Sequence, residues 1–169
     1  MKYIHIQYEK TKIGELILGA YDKQLCLLDF RHRKTRMTID NRLKKGLHAE
    51  FIEQDDEILT QTKQQLGEYL NGDRRKFDLP MLMIGTDFQK RVWHALMNIP
   101  YGVTSTYLQL AKNIHHKKAV RAVANANGAN AMSLIIPCHR IIGSNGKLVG
   151  YAGGLAAKKQ LLILEACRI

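Results

Sequence analysis

A change of hydrophobic pattern near residue 85 limits the folds open to this chain more than any other feature. Before that point, short β-favourable apolar runs are separated by tight turns, which predicts an antiparallel meander. The predicted strands are residues 3–8, 14–21 and 25–30. After it, apolar residues recur at helical spacing. We therefore predict an α/β (α+β) protein with a β-rich domain at residues 1–85 and a helical domain at residues 86–169.

The rest of the first domain is predicted to hold one helix. Residues 31–45 are charged and weakly patterned, which indicates a loop or a poorly packed connection. Residues 56–70 repeat apolar side chains at helical spacing, and Asn71-Gly72 ends that helix. Residues 73–84 are predicted to form a linker with a short extended piece at residues 79–82.

Helix starts in the second domain are marked by threonines that precede a glutamine by three residues, the signature of a capping box. Thr86 opens a helix that Pro100-Tyr101-Gly102 stops, and Thr106 opens a shorter one. A polar turn at residues 115–117 follows, so two short helices joined by a tight turn predict a helix-turn-helix. The later helices are predicted at residues 119–128 and 155–166.

The second domain is also strongly basic. Of the net charge of +11, most lies in residues 86–169, where 11 Lys and Arg face only two acids, Asp87 and Glu165. This balance suits a polyanion such as nucleic acid, although a solvated basic surface would look the same. No apolar run approaches the roughly 20 residues that span a bilayer, so no membrane partner is expected.

The cysteines favour a reducing compartment, and hence a cytoplasmic location. Cys26, Cys138 and Cys167 are odd in number and show no CxxC spacing, which argues against a disulfide framework and against a zinc site. The first residues are predicted to form a strand and not a signal peptide.

Candidate chemistry centres on the run Pro137-Cys138-His139-Arg140, which ends a short apolar stretch. A neighbouring histidine can lower the pKa of a thiol or relay its proton, and the thiolate is the nucleophile. A buried cysteine beside a surface histidine would give the same four residues. Glu165, on the apolar side of the last helix, needs a partner if it is buried. That partner is either His139, which gives a carboxylate–imidazole–thiol chain, or Lys158 or Arg168 at the surface.

The third helix carries a face of small side chains around one cation. Arg121, Asn125 and Gly128 share this face, and alanines border it. The bordering residues are Ala122, Ala126 and Ala129. Such a face lets a helix lie close to a DNA groove, but it equally suits packing against another helix.

Residues 130–142 resemble the active-site signature of the O6-alkylguanine-DNA alkyltransferases, also called methylated-DNA–protein-cysteine methyltransferases. Further matching segments fall in the order and spacing of that family. They are Ile99-Pro100-Tyr101-Gly102, Thr106-Tyr107, residues 119–123, residues 151–155 and residues 162–165. The resemblance covers residues 86–169 strongly and residues 1–85 only in layout.

The resemblance implies a ribonuclease H-like N-terminal domain and a winged helix-turn-helix in the second domain. It implies DNA repair by direct reversal, in which the alkyl group of O6-alkylguanine, and of O4-alkylthymine, moves irreversibly to Cys138 in one turnover. The expected partner is double-stranded DNA carrying alkylated guanine, bound by a monomer through the minor groove without sequence preference. No cofactor and no metal are implied.

The resemblance also implies catalytic roles for individual residues. Cys138 would accept the alkyl group, His139 would act as a base through a water molecule, and Glu165 would orient His139. Asn130 would hold the active-site turn in place. Tyr107 would donate a hydrogen bond to the guanine, so that the base leaves neutral.

Binding roles follow in the same way. Arg121 would enter the base stack and fill the gap left by a flipped nucleotide. The other implied DNA-binding residues are Thr106, Ala122, Asn125 and Gly128. The implied substrate pocket comprises Tyr107, Ser133, Ile141, Tyr151 and Ala152. Ala152 stands where many relatives have serine, a change we expect to be tolerated, whereas Asn125 and Asn127 are expected to change local DNA contacts.

Other classes of protein fit the sequence less well. A non-catalytic binder of alkylated bases would lack the cysteine found at position 138. Cysteine hydrolases bring their cysteine and histidine together from distant segments. A sensor-activator of transcription would need an additional cysteine-rich metal-binding module, for which this chain has too few cysteines.

Overall fold

The computed structural model describes residues 1–166. Its internal contacts divide the chain into two compact units, Met1–Gly85 and Thr86–Ile169. Cys167 and Arg168, which the sequence offered as a third thiol and as an alternative partner of Glu165, lie outside the described residues. No helix in the described part is long and apolar enough to cross a membrane.

The first unit contains a sheet with the strand order β3-β2-β1-β4. The strands are β1 (Lys2–Thr11), β2 (Gly14–Tyr21), β3 (Gln24–Phe30) and β4 (Ala49–Glu53). The predicted meander is confirmed, because β2 pairs antiparallel with both β1 and β3. The fourth strand runs parallel to β1. The sequence pattern does not predict it, because only Ala49 among its five residues is buried and no apolar alternation marks it.

The prediction of a loop at residues 31–45 is wrong, because α1 spans Arg36–Leu47. Only two of its residues are buried, Ile39 and Leu43, which lie one helical turn apart on the same side. The helix is held by charge as well: Arg36 donates to Asp40 one turn on and to the fully buried Asp29 at the end of β3, each at 2.9 Å. So narrow an apolar side, among many charges, gives little periodic signal.

The predicted helix at residues 56–70 is confirmed as α2, Glu57–Leu70. Asp56 caps the start of the helix by accepting a hydrogen bond from the Ile58 amide. Gly72, just beyond the end of the helix, turns the chain away with a φ of 83°. The extended piece at residues 79–82 runs beside β3. There the Leu25 amide donates to the Pro80 carbonyl, and the Leu25 carbonyl accepts from the Leu82 amide, each at 2.8 Å.

The second unit is helical, as predicted, with a short 3₁₀ turn at Cys138–Arg140. Its helices are α3 (Asp87–Met97), α4 (Tyr107–Asn113), α5 (Val120–Gly128) and α6 (Leu155–Leu164). Both halves of the capping box at Thr86 are present. At Thr106 only one half forms, because the Gln109 side chain donates to Asn113 instead of turning back. The last helix ends at Leu164, two residues before the predicted end.

Helices α4 and α5 form the predicted helix-turn-helix, which packs on α3 through Trp93. This side chain is 2% exposed, and its indole nitrogen donates to the Ala126 carbonyl at 2.8 Å. Ala126, expected to border the DNA-facing side of α5, therefore lies in the core. The resemblance implies a wing after the 3₁₀ turn. In that segment the Ser105 carbonyl accepts from the Ile142 amide, and a turn at residues 143–147 follows.

Candidate active site

Cys138 is held at a constrained turn. It opens the 3₁₀ turn, is 5% exposed, and its amide donates to the Ile136 carbonyl at 2.7 Å. Four residues earlier, buried Leu134 has a φ of 74°, a left-handed conformation that is strained for a bulky residue. The local backbone therefore fixes where the thiol can lie.

The Asn130 side chain holds this turn through two hydrogen bonds to the backbone. Its amide nitrogen donates to the Ile136 carbonyl and its amide oxygen accepts from the Met132 amide, both at 2.9 Å. The side chain is 1% exposed, so these hydrogen bonds are made away from competing water. They join the two sides of the loop that leads to Cys138.

A buried carboxylate–imidazole pair lies next to the thiol-bearing residue. His139 Nε2 and Glu165 Oε2 are 2.8 Å apart, and both side chains are fully buried. Burial lowers the pKa of His139, and Glu165 opposes that shift. Because Nε2 donates to the carboxylate, Nδ1 carries a lone pair; it is buried and has no hydrogen-bond partner within residues 1–166. A neutral imidazole with this nitrogen available can accept a proton.

Glu165 has a second partner that the sequence did not indicate. Arg140 donates to both oxygens of its carboxylate, from Nε at 2.8 Å and from Nη2 at 3.0 Å, and Nη1 donates to the Ile99 carbonyl at 2.6 Å. The pair is buried and bidentate, the strongest geometry for this type of interaction. It fixes the carboxylate that orients His139.

The turn that ends α3 also holds the end of α6. The Tyr101 hydroxyl donates to the Leu164 carbonyl at 3.3 Å, and the Gly102 amide donates to Glu165 Oε1 at 3.4 Å. Gly102 has a φ of 80°, and a Cβ there would lie 3.1 Å from the Glu165 carbonyl oxygen. Glycine is therefore required both by the conformation and by the close approach.

Lys158 does not pair with Glu165 at the surface, as one alternative supposed. It is fully buried, and its ammonium donates to the carbonyls of Ile141 and Val149. Burial lowers its pKa to about 8, and the charge of Cys138 opposes that shift. Lys158 thus ties together the two ends of the segment that follows the 3₁₀ turn and supplies a cation close enough to act on Cys138.

Tyr107 is half-buried at the first turn of α4, and its hydroxyl oxygen accepts a hydrogen bond from Asn127 Nδ2 at 3.3 Å. Burial raises the pKa of this phenol, and a negative charge on Cys138 raises it further. The expectation that Asn127 changes DNA contacts is wrong. Its side chain points inward and the residue is only 8% exposed.

The other residues of the implied substrate pocket differ in burial. Tyr151 is half-buried and meets His139 edge-on, with ring centroids 6.5 Å apart. Ser133 and Ile141 are buried, at 1% and 0% exposure, and Ala152 is half-buried.

The face of α5 that carries Arg121 is exposed, so it does not pack against another described helix of the second unit. The exposed residues are Arg121, Ala122, Asn125 and Gly128. Thr106, the other residue implied in DNA binding, uses its hydroxyl to cap α4 by accepting from the Gln109 amide at 3.1 Å. Among residues 1–166, no group of three or more His, Cys, Asp or Glu side chains is placed to hold a metal ion.

Comparison with known proteins identifies the same family in both units. The family described as "6-O-methylguanine DNA methyltransferase, DNA binding domain" matches residues 87–167, and "6-O-methylguanine DNA methyltransferase, ribonuclease-like domain" matches residues 3–83. A Methanosarcina barkeri protein named methylated-DNA–protein-cysteine methyltransferase is 44% identical over 156 residues, or 92% of this chain and 93% of that protein.

A solved structure agrees. Mycobacterium tuberculosis OGT in complex with DNA matches with a TM-score of 0.81 at 36% identity, covering 96% of this chain and 92% of that one. The chain belongs to the methylated-DNA–protein-cysteine methyltransferase family. Membership confirms the resemblance seen in residues 130–142, and it extends to the N-terminal unit, where the sequence offered only a similar layout.

Proposed function

We propose that Cys138 accepts the alkyl group of O6-alkylguanine in DNA, and of O4-alkylthymine, in a single irreversible turnover. The family repairs DNA by transferring alkyl groups, which gives the class of reaction. The assignment to Cys138 is supported chiefly by one observation: the fully buried Glu165–His139 pair adjoins it in a turn braced by Asn130. This is the arrangement of an activated nucleophile.

The proposed reaction is an in-line displacement. His139 takes the thiol proton through a water molecule, with Glu165 stabilising the imidazolium that forms. The thiolate then forms a bond to the alkyl carbon as the bond from that carbon to O6 breaks, and the electron pair remains with the guanine. Tyr107 supplies a proton to the departing base. The product thioether is stable, and the reaction needs no cofactor.

DNA binding is assigned to the domain at residues 86–169, and residues 1–85 form the β-rich N-terminal domain. A target inside a duplex must be extruded before a buried thiol can reach it. We propose that α5 enters the minor groove, where Ala122 and Gly128 allow close approach and Arg121 fills the vacated stack. Basic side chains hold phosphates without reading sequence, which suits a monomer that inspects any site in cytoplasmic DNA.

Restoration of guanine tests this proposal. A duplex with one O6-methylguanine, mixed with the protein and no cofactor, should regain an unmodified guanine until one lesion per protein molecule has been reversed. Nuclease digestion and chromatography of the nucleosides give the count. Continued reversal beyond that ratio would contradict the single turnover, and no reversal would contradict the function.

Replacing Arg121 with alanine should slow repair of duplex DNA about a hundredfold, because extrusion of a base costs a few kcal/mol without the filling side chain. Reaction with free O6-methylguanine should hardly change, because no base has to leave a stack. Single-turnover rates on both substrates provide the measurement. Lys112→Ala, an exposed lysine on α4, gives the effect of losing one positive charge. Equal losses on both substrates would refute the intercalating role.

A further inference from the structure

The contact between Tyr107 and Asn127 has a defined polarity. Asn127 lies in the last turn of α5, and its Nδ2 donates to the Tyr107 hydroxyl oxygen at 3.3 Å. An amide nitrogen has no acceptor capacity, so the phenol cannot give its own proton to this partner. The hydroxyl oxygen is held, and its proton is left for another acceptor.

We propose that Asn127 is a positioning residue for alkyl transfer, which holds the Tyr107 hydroxyl so that its proton is directed at the departing base. This inference rests on the proposed function and adds to it a residue that acts through Tyr107. The donated hydrogen bond also favours the phenolate, because it lowers a Tyr107 pKa that burial and the charge of Cys138 raise. A phenol so supported is a stronger acid at the moment of bond cleavage.

The position of Asn127 links the acid to the nucleophile. Its backbone carbonyl accepts from the Asn130 amide at 3.2 Å, and the Asn130 side chain holds the Ile136 carbonyl before Cys138. A single run of four residues, 127–130, therefore contacts the hydroxyl at one end and braces the thiol turn at the other. This connection relates the position of the Tyr107 hydroxyl to that of the Cys138 thiol. In the proposed reaction these two groups act on opposite sides of the breaking bond.

Packing alone does not explain an asparagine here. The side chain is in the core, and its Oδ1 is buried without a hydrogen-bond partner among residues 1–166. A buried unsatisfied acceptor is destabilising, and an apolar side chain of similar size would avoid that cost. Within the Asn127 side chain, the amide nitrogen is the atom with a hydrogen bond, and its partner is the proposed acid.

A double-mutant cycle tests the inference. In the otherwise unchanged protein, Asn127→Leu should lower the single-turnover rate of methyl transfer from O6-methylguanine duplex about tenfold, the effect of one hydrogen bond. In a Tyr107→Phe background, the same substitution should have no further effect, because it acts only through the hydroxyl. Equal losses in both backgrounds would overturn the inference, as would an unchanged rate in Asn127→Leu.

Three further measurements separate positioning from general damage. Alkylation of Cys138 by iodoacetamide needs the thiolate but no acid for a departing base, so Asn127→Leu should leave its rate, and the affinity for unmodified duplex, unchanged. Asn127→Asp, whose carboxylate would capture the phenol proton, should slow transfer more than Asn127→Leu. Asn113→Asp, an exposed residue of α4, adds the same charge and should not. Loss of iodoacetamide reactivity would overturn the positioning role, and absence of transfer by the unmodified protein would overturn the proposed function itself.

Discussion

Replacing Cys138 with alanine is expected to abolish methyl transfer while DNA binding survives. The change removes the sulfur atom that accepts the alkyl group in the proposed reaction, and it leaves the phosphate-binding side chains in place. Losing one sulfur atom from this turn should not disturb the fold. The hydrogen bond from Asn130 to the Ile136 carbonyl and the backbone hydrogen bonds of the 3₁₀ turn do not use the thiol. Transfer from labelled O6-methylguanine duplex and binding to unmodified duplex are measured on the same preparation.

Cys26→Ala provides the matched control for a lost thiol. Cys26 lies in β3 at 1% exposure, and burial raises its pKa to about 12, so it is not a thiolate at neutral pH. Transfer by this variant should equal that of the unchanged protein. Methyl transfer that persists in Cys138→Ala would contradict the assignment of the acceptor.

Replacing Glu165 with glutamine is expected to destabilise the protein and to slow transfer. Arg140 would keep a buried positive charge without its bidentate partner, which costs about 3 kcal/mol of unfolding free energy. His139 would lose the charge that opposes the effect of burial, so its pKa would fall further and it would become a weaker base. We expect transfer to slow about a hundredfold. Urea unfolding and single-turnover kinetics measure the two effects.

The second domain offers a control for the lost charge. Asp87, its one other acid, is exposed at the first turn of α3, so Asp87→Asn removes the same charge where water already screens it. This variant should change the unfolding free energy by no more than about 0.5 kcal/mol and leave the transfer rate intact. Equal behaviour of the two variants would mean that the Glu165 contacts carry neither stability nor activity.

The periodic parts of the fold were predictable from the sequence, and the parts held by charge were not. Strands β1 to β3 and helices α2 and α3 carry apolar repeats or capping residues, so their positions follow from local rules. Helix α1 buries only Ile39 and Leu43 and relies on Arg36 contacts with two aspartates. Those contacts come from the tertiary fold, which spacing along the chain does not reveal.

Some residues of the candidate site could likewise be found from the sequence, and others could not. The run around Cys138 could be found because its residue types stand together, and Glu165 because acids are scarce in that half of the chain. Between the alternatives for Glu165, the structure selects His139 over Lys158, and it adds Arg140. The contacts of Asn127 with Tyr107 and of Lys158 with two backbone carbonyls were missed. In each case the partner lies on another segment of the chain, which a local sequence pattern does not reveal.

Intact-mass analysis followed by peptide mapping tests directly whether Cys138 accepts the alkyl group. The protein is mixed with an excess of a duplex that holds one O6-methylguanine. We expect the addition of one methyl group per protein molecule, located on the peptide that carries Cys138. A methyl group on another residue, or tight binding of the lesion with no change in mass, would contradict it.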